Sequence, residues 1–172
     1  MREETRFSPP ISRLRAWAML ANLAQYESWH PEYRFGGGVV GLGKKVEFTA
    51  RFFGRSTQVD ALIVAHERSG SIRWKLGTFP FFTMEEGYEL TEDASGLHVR
   101  HSVECKGLFG APAAAFVRAG IRRRMQLQDT SFLVAVRRLS RAGPAGNRHK
   151  RRTTAATKGR SVNDDCSPEQ NE

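Results

Sequence analysis

Two histidines three residues apart, His98 and His101, are the side chains whose type and spacing most invite chemistry. An imidazole titrates near neutral pH and can serve as acid, base, hydrogen-bond partner or metal ligand. Both lie in the run Gly96-Leu97-His98-Val99-Arg100-His101-Ser102-Val103-Glu104-Cys105-Lys106-Gly107-Leu108-Phe109, which begins with strand-like alternation. Val99, His101, Val103 and Cys105 fall on one side, and His98, Arg100, Ser102 and Glu104 on the other. The two histidines therefore face opposite ways and cannot share a metal. No Cys or carboxylate cluster joins His66 to complete a ligand set, so no metal is expected. Cys105 has no local partner to lower its pKa, and no G-x-S-x-G elbow is present, so a nucleophile is not indicated. His101 keeps two readings: a core histidine bonded to an acceptor, or a cavity histidine that orients a ligand carbonyl or hydroxyl or moves a proton.

The elements that must position these residues follow from the pattern. After Ser8-Pro9-Pro10 comes a helical stretch with Ile11, Leu14, Trp17, Ala18 and Ala21 on one face and the prolines in its first turn. A second short helical piece, about Leu23 to Ser28, ends before Pro31. Strands are expected around residues 33–40, 44–53, 58–67, 72–76, 82–91 and 97–106, most of the breaks carrying Gly or Ser, as in an antiparallel meander. Gly36-Gly37-Gly38-Val39-Val40-Gly41 formally contains G-x-G-x-x-G, but a strand follows it where a phosphate loop needs a helix N-terminus, so it reads as turn glycines. From Pro112 a long helix runs to about Ser140, with Val117, Ile121, Met125, Gln128, Phe132, Ala135 and Leu139 on one face. Gln128 interrupts that stripe as His101 interrupts the strand. Leu127 and Val134 lie on the outer side.

The chain has 172 residues, 40% hydrophobic and 26% charged, which is one domain with a core and a tail. No apolar run reaches the roughly 20 residues that span a bilayer, and Met1-Arg2-Glu3-Glu4 is not a secretory leader. Cys105 and Cys166 are poor disulfide partners, so a reducing, cytoplasmic setting is expected. The net charge of +9 comes with Arg122-Arg123-Arg124 and Arg137-Arg138 on the helix and Arg148, Lys150, Arg151 and Arg152 beyond it. No aromatic platforms are interleaved with the basic tail, so no specific nucleic-acid binding is expected, only weak nonspecific contact. Domain limits of 1–141 and a disordered tail of 142–172, basic and then acidic, follow from the loss of hydrophobics after Gly143.

The order of elements, together with particular residues, resembles the SRPBCC superfamily, which is START-like and includes polyketide cyclases/dehydrases and lipid-transport proteins. Trp17, Tyr26, Trp29 and Pro31 look like its Trp…Tyr-x-x-Trp-x-Pro signature, with Asn22 where many members have Asp. Gly43, Trp74-Lys75-Leu76, and Tyr88 with Leu90 resemble its strand landmarks. Gly96, Val99, His101, Gly107 and Leu108 match its last-strand pattern in register, and the likeness covers about residues 5 to 140. Departures are a short first strand, Glu3 to Phe7 (a trimmed edge or an upstream start), Val103 where close relatives carry an inward Glu, and Cys105 in place of an aromatic.

The resemblance implies an α+β helix-grip fold: a curved antiparallel sheet wrapped around a long C-terminal helix, with two short helices after the first strand. It also implies a hydrophobic small molecule, lipid- or polyketide-like, bound or carried in an internal cavity, with no cofactor. The expected lining is Phe48, Ile63, Trp74, Tyr88, Val99, His101, Val103, Met125, Gln128 and Phe132. In such folds loops near the long helix gate the cavity, which points to Phe79, Phe81 and Phe82 with Leu108 and Phe109 as the mouth, and Gly77 and Gly110 as its soft points. With Val103 at the Glu site, His101 is expected to be the strand's lone inward polar group, facing Gln128. A cyclase/dehydrase-like enzyme using His101 and Tyr88 as acid and base is the second reading, and a basic interaction protein the third. Oligomeric state is not legible.

Overall fold

The computed structural model describes residues 1–52 and 55–141. The expected tail, with Cys166, lies outside the described residues. By its contacts the chain divides into two units, Met1–Arg137, which holds the sheet and the candidate site, and Arg138–Glu172.

The described residues form one antiparallel sheet of seven strands: β1 (Arg2–Phe7), β2 (Tyr33–Phe35), β3 (Lys45–Phe52), β4 (Arg55–Glu67), β5 (Ser71–Thr78), β6 (Phe82–Asp93) and β7 (Gly96–Lys106). Their spatial order is β1-β7-β6-β5-β4-β3-β2, so the first strand closes beside the last. Helix α1 (Arg13–Ala21) and a 3-10 turn (Leu23–Ser28) connect β1 to β2, and α2 (Gly110–Arg141) ends the described chain. This is the helix-grip α+β arrangement, with the two short helices where they were expected.

Period-two alternation sends one side of each long strand inward. Val46, Phe48 and Ala50 of β3, Ile72, Trp74 and Leu76 of β5, and Leu97, Val99, Val103 and Cys105 of β7 are all buried. The opposite face carries a charge ladder, in which Arg73 pairs with Glu85 and Glu89, Arg100 with Glu89 and Glu4, and Arg2 with Glu4. Exposed pairs of this kind add little stability but keep that face wet and fix the side chains in register.

Three local expectations differ. Helix α1 begins at Arg13, so Pro9 and Pro10 precede it. Its buried residues are Ala16 and Leu20, while Leu14 is 51% exposed. The helix is rotated because the small Ala16 allows close approach to the sheet, and the Trp17 ring lies edge-on to His66 at 5.4 Å. Strand β2 stops at Phe35, and the glycine-rich run is the connection to β3, a strand rather than a helix. Among the described side chains of α2 the buried ones are Met125, Gln128, Asp129, Phe132 and Val136, whereas Leu139 near the end is 62% exposed; the side chain of Val117 lies outside those described. The stripe follows the i, i+3, i+4 rule but is centred one residue later than expected in its second half. Leu127 and Val134 are outward, as read.

The turn between β5 and β6 and the link between β7 and α2 meet at one end of the sheet. Leu108 N–H donates to the Pro80 carbonyl at 2.9 Å and Phe109 N–H to the Phe81 carbonyl at 2.9 Å. Gly107 makes this possible: its φ is +102°, and a Cβ there would fall 2.6 Å from the Phe81 carbonyl oxygen. Gly107→Ala is expected to lower stability by roughly 1–3 kcal/mol. Gly37→Ala, whose Cβ would meet nothing within 4 Å, should leave it unchanged. Urea midpoints of the two variants check this; equal midpoints would remove the role assigned to Gly107.

Candidate functional site

His101 lies at the centre of the interior with no exposed surface. Strand β7 aims it inward, and helix α2 supplies Asp129 opposite. Tyr88 pairs with His101 in the β6–β7 ladder and stacks on its ring at 4.3 Å. Glu86 pairs with Val103 in the same ladder. His101 Nδ1 is 2.8 Å from Asp129 Oδ1, and Nε2 is 3.1 Å from Glu86 Oε1. The remaining oxygens are also filled: Thr5 Oγ1 donates to Asp129 Oδ2 at 2.5 Å, and the Tyr33 hydroxyl to Glu86 Oε2 at 2.7 Å. Strands β1, β2, β6 and β7 and helix α2 thus converge on one unit.

The hydrogen-bond count fixes its protonation. All four carboxylate oxygens accept, and both imidazole nitrogens face acceptors, so both carry protons and the ring is an imidazolium. Burial opposes that charge, but hydrogen bonds to Asp129 and Glu86 and the field of both carboxylates outweigh it, pushing the His101 pKa up to about 9. The expectation that His101 is a lone inward polar group facing Gln128 is therefore corrected. Val103 does lack a carboxylate, but Glu86 restores one from the neighbouring strand, directly across the ladder. Its signal was present in the sequence, because Glu86 is two residues from Tyr88 and shares its face. Asp129 was hidden beside Gln128, at the margin of the helix stripe.

This geometry bears on proton transfer. His101 offers no free lone pair near neutral pH. Burial, with the fields of Tyr26 and Glu86, raises the Tyr88 phenol well above its ordinary value.

A second buried histidine behaves oppositely. His30 Nδ1 accepts the Tyr33 N–H at 2.8 Å, and its ring stacks on Tyr33 at 4.3 Å and on Tyr26 at 5.5 Å. Burial, with the positive fields of His101 and Arg124, pushes its pKa down to about 3. His30 is neutral, carrying its proton on Nε2.

Beside this network is a cavity of about 40 Å3, lined by Tyr33, Met84, Glu86, Val103, Ile121, Arg124, Met125 and Gln128. Three of the expected lining residues, Val103, Met125 and Gln128, border it. Phe48, Ile63, Trp74, Val99 and Phe132 are fully or almost fully buried in the main core, where Phe35, Phe48, Trp74, Tyr26 and Tyr88 form contiguous ring contacts. Gln128 sits with Tyr33 on the cavity wall, where the chain Asp129–His101–Glu86–Tyr33 ends. Its Oε1 is buried with no hydrogen-bond partner, and so are the Tyr88 hydroxyl, Trp74 Nε1 and His30 Nε2. Arg124 turns from the basic run toward Glu32, 2.8 Å away, rather than into solvent.

Phe79, Phe81, Phe82, Leu108 and Phe109 lie together where the two linking segments meet. All five are exposed, Phe79 by 74%, and Phe81 stacks parallel to Phe109 at 6.3 Å. Gly77 has φ +86° and abuts the Phe82 carbonyl, and Gly110 is the first residue of α2. His98 is on the opposite face from His101, bonded to Ser8, Ser95 and Asp93. Among the described residues no three His, Cys, Asp or Glu side chains are grouped to hold a metal ion, and no helix is long and apolar enough to cross a membrane.

The two histidines set opposite pH limits on stability. An unfolded imidazole titrates near 6.5, so the His101 contribution is complete below that and is lost as pH rises through about 9. The His30 contribution is complete above about 6.5 and is lost as pH falls toward 3. At full extent the first is worth roughly 3 kcal/mol and the second roughly 5 kcal/mol. Unfolding free energy measured from pH 4 to pH 10 should peak near neutrality, and His101→Asn should flatten the alkaline limb while keeping the acid one. An unchanged alkaline limb in that variant would refute the imidazolium assignment.

Comparison with known proteins agrees with this architecture. Among solved structures the chain is similar to Ara h 8.0201 (15% identity, 79% of this chain and 97% of that one, TM-score 0.62). It is also similar to the protein of unknown function SA2116 from Staphylococcus aureus (8% identity, 82% and 96%, TM-score 0.65). A START superfamily protein from Mycobacterium smegmatis aligns at 14% identity over 80% of this chain and 98% of that one, with a TM-score of 0.58. At such identities the likeness is one of fold. No curated protein matches the sequence. Residues 4–132 match the family described as polyketide cyclase / dehydrase and lipid transport. With most of its length inside that match, the chain belongs to this family of hydrophobic-ligand-binding fold.

Proposed function

We propose that this protein binds a hydrophobic small molecule, lipid- or polyketide-like, between β6, β7 and the first half of α2. The observation that carries the reading is the cavity itself. Met84, Val103, Ile121 and Met125 give it apolar walls, and Tyr33, Glu86 and Gln128 give it a polar floor. That division is what a ligand with an apolar body and a polar head requires.

At about 40 Å3 the cavity holds a water molecule and no more, so a ligand must displace side chains to enter. The neighbours suit that demand. Met84 and Met125, with the partly buried Met1 packed against the same cluster, are unbranched and re-pack at low cost. Phe82, Met84 and Glu86 alternate along β6, so roughly 14 Å of strand separates the exposed aromatics from the polar floor. Phe79, Phe81, Phe82, Leu108 and Phe109 serve as the mouth on this reading, and an apolar chain lies along the methionines behind them. Each methylene moved out of water contributes roughly 0.8 kcal/mol. Ten of them supply about 8 kcal/mol against the cost of association.

The test is titration of the full chain with the neutral fluorescent hydrophobe N-phenyl-1-naphthylamine. Saturable one-to-one binding is expected, weakened at least tenfold in Ile121→Trp, whose indole occupies the cavity. Absence of binding, or binding indifferent to that substitution, overturns the proposal.

A further inference from the structure

The polar floor does more than tolerate a head group, because its hydrogen-bonding sense is fixed. Gln128 is 2% exposed and lines the cavity, and its Oε1 has no partner. An unpartnered carbonyl oxygen in that position is a buried acceptor awaiting a donor. Glu86, the other acceptor on the wall, has both oxygens filled by His101 and Tyr33.

The charges point the same way. The unit behind the floor is one imidazolium between two carboxylates, which leaves one negative charge in a dry interior. Arg124, the one cation among the described residues lining the cavity, is engaged by Glu32. A carboxylate brought to this floor would face Glu86 on the wall and has no proton to give Gln128 Oε1, so it would be left poorly solvated.

We infer that the pocket selects a hydrophobe ending in a neutral hydrogen-bond donor, a hydroxyl that donates to Gln128 Oε1, and rejects the same hydrophobe ending in a carboxylate. This rests on the reading of the cavity as a ligand pocket and adds its specificity-determining residues: Gln128 by direct contact, and Glu86 and Asp129 through charge.

Three competitors displacing N-phenyl-1-naphthylamine at pH 8 separate the possibilities: 1-decanol, its isomer 1-methoxynonane, and decanoate. The alcohol and the ether have the same atoms and differ in having or lacking the donor, so simple partition into an oily space hardly distinguishes them. The alcohol is expected to compete at a concentration at least tenfold lower than the ether, with decanoate the weakest. Gln128→Leu should abolish the preference of alcohol over ether, read as the ratio of the concentrations at which the two displace half of the probe. An ether as effective as the alcohol in the unmodified protein, or a carboxylate as effective as either, overturns the selection and leaves the pocket standing. If the probe binds but none of the three displaces it, the pocket reading falls and takes the selection with it.

Discussion

The imidazolium of His101, held between Asp129 and Glu86, is the interaction on which the rest of the interior depends. It ties the long helix to the sheet by directional bonds as well as by packing, as Arg118 does with Glu3 of β1 nearer the start of the helix. Its partners reach further, through Thr5 to β1 and through Tyr33 to β2, the strands at the two ends of the sheet order. A buried charged unit of this kind is weak evidence of net stabilisation, since removing ions from water costs about what their attraction returns. What it supplies is register. Rotating α2 by one residue would carry Asp129 away and leave a buried imidazolium without one of its carboxylates.

That constraint divides the helix by function. From Gln128 onward its inward residues, Asp129, Phe132 and Val136, are either bonded to the network or packed in the main core; Phe132 lies 5.3 Å from Trp29 and 5.8 Å from Phe7. Before Gln128 the inward residues among those described include Ile121 and Met125, packed with Met84, Val103 and Cys105 in a smaller, separate cluster. Branched and aromatic side chains in contact resist rearrangement, whereas an unbranched thioether accommodates it. The cavity sits at the boundary between the two regimes, with fixed polar groups on one side and adaptable apolar ones on the other. A small internal volume is therefore compatible with a binding role, provided the adaptable side is the one a ligand enters.

Most of the scaffold was legible because its causes are periodic. Alternation exposed the strands, Gly and Ser marked their turns, and the helix stripe identified Met125, Gln128 and Phe132. The features that escaped are those in which a rule of composition was broken for a pairwise reason. Glu86 on an inward position looks like an interruption until a cation is placed diagonally across the ladder, and Asp129 looks like a surface residue until that cation faces it. Neither strand nor helix alone contains the reason, because the pair forms only when β6, β7 and α2 are brought together. The rotation of α1 was lost in the same way: Ala16, too small to carry weight in a hydrophobic pattern, is the residue that lets the helix approach.

The rung that joins Glu86 to Val103 divides polar from apolar. The inward carboxylate stands on β6 and its partner on β7 is valine. The histidine has its second counter-charge there, while Val103 gives the cavity wall an apolar side chain. Carboxylate and cavity are thereby separated: Glu86 is held back by His101 and Tyr33, and Val103 faces the methionines. The imidazolium is thus paired on both sides, and on the cavity wall the buried polar atom left without a partner is Gln128 Oε1.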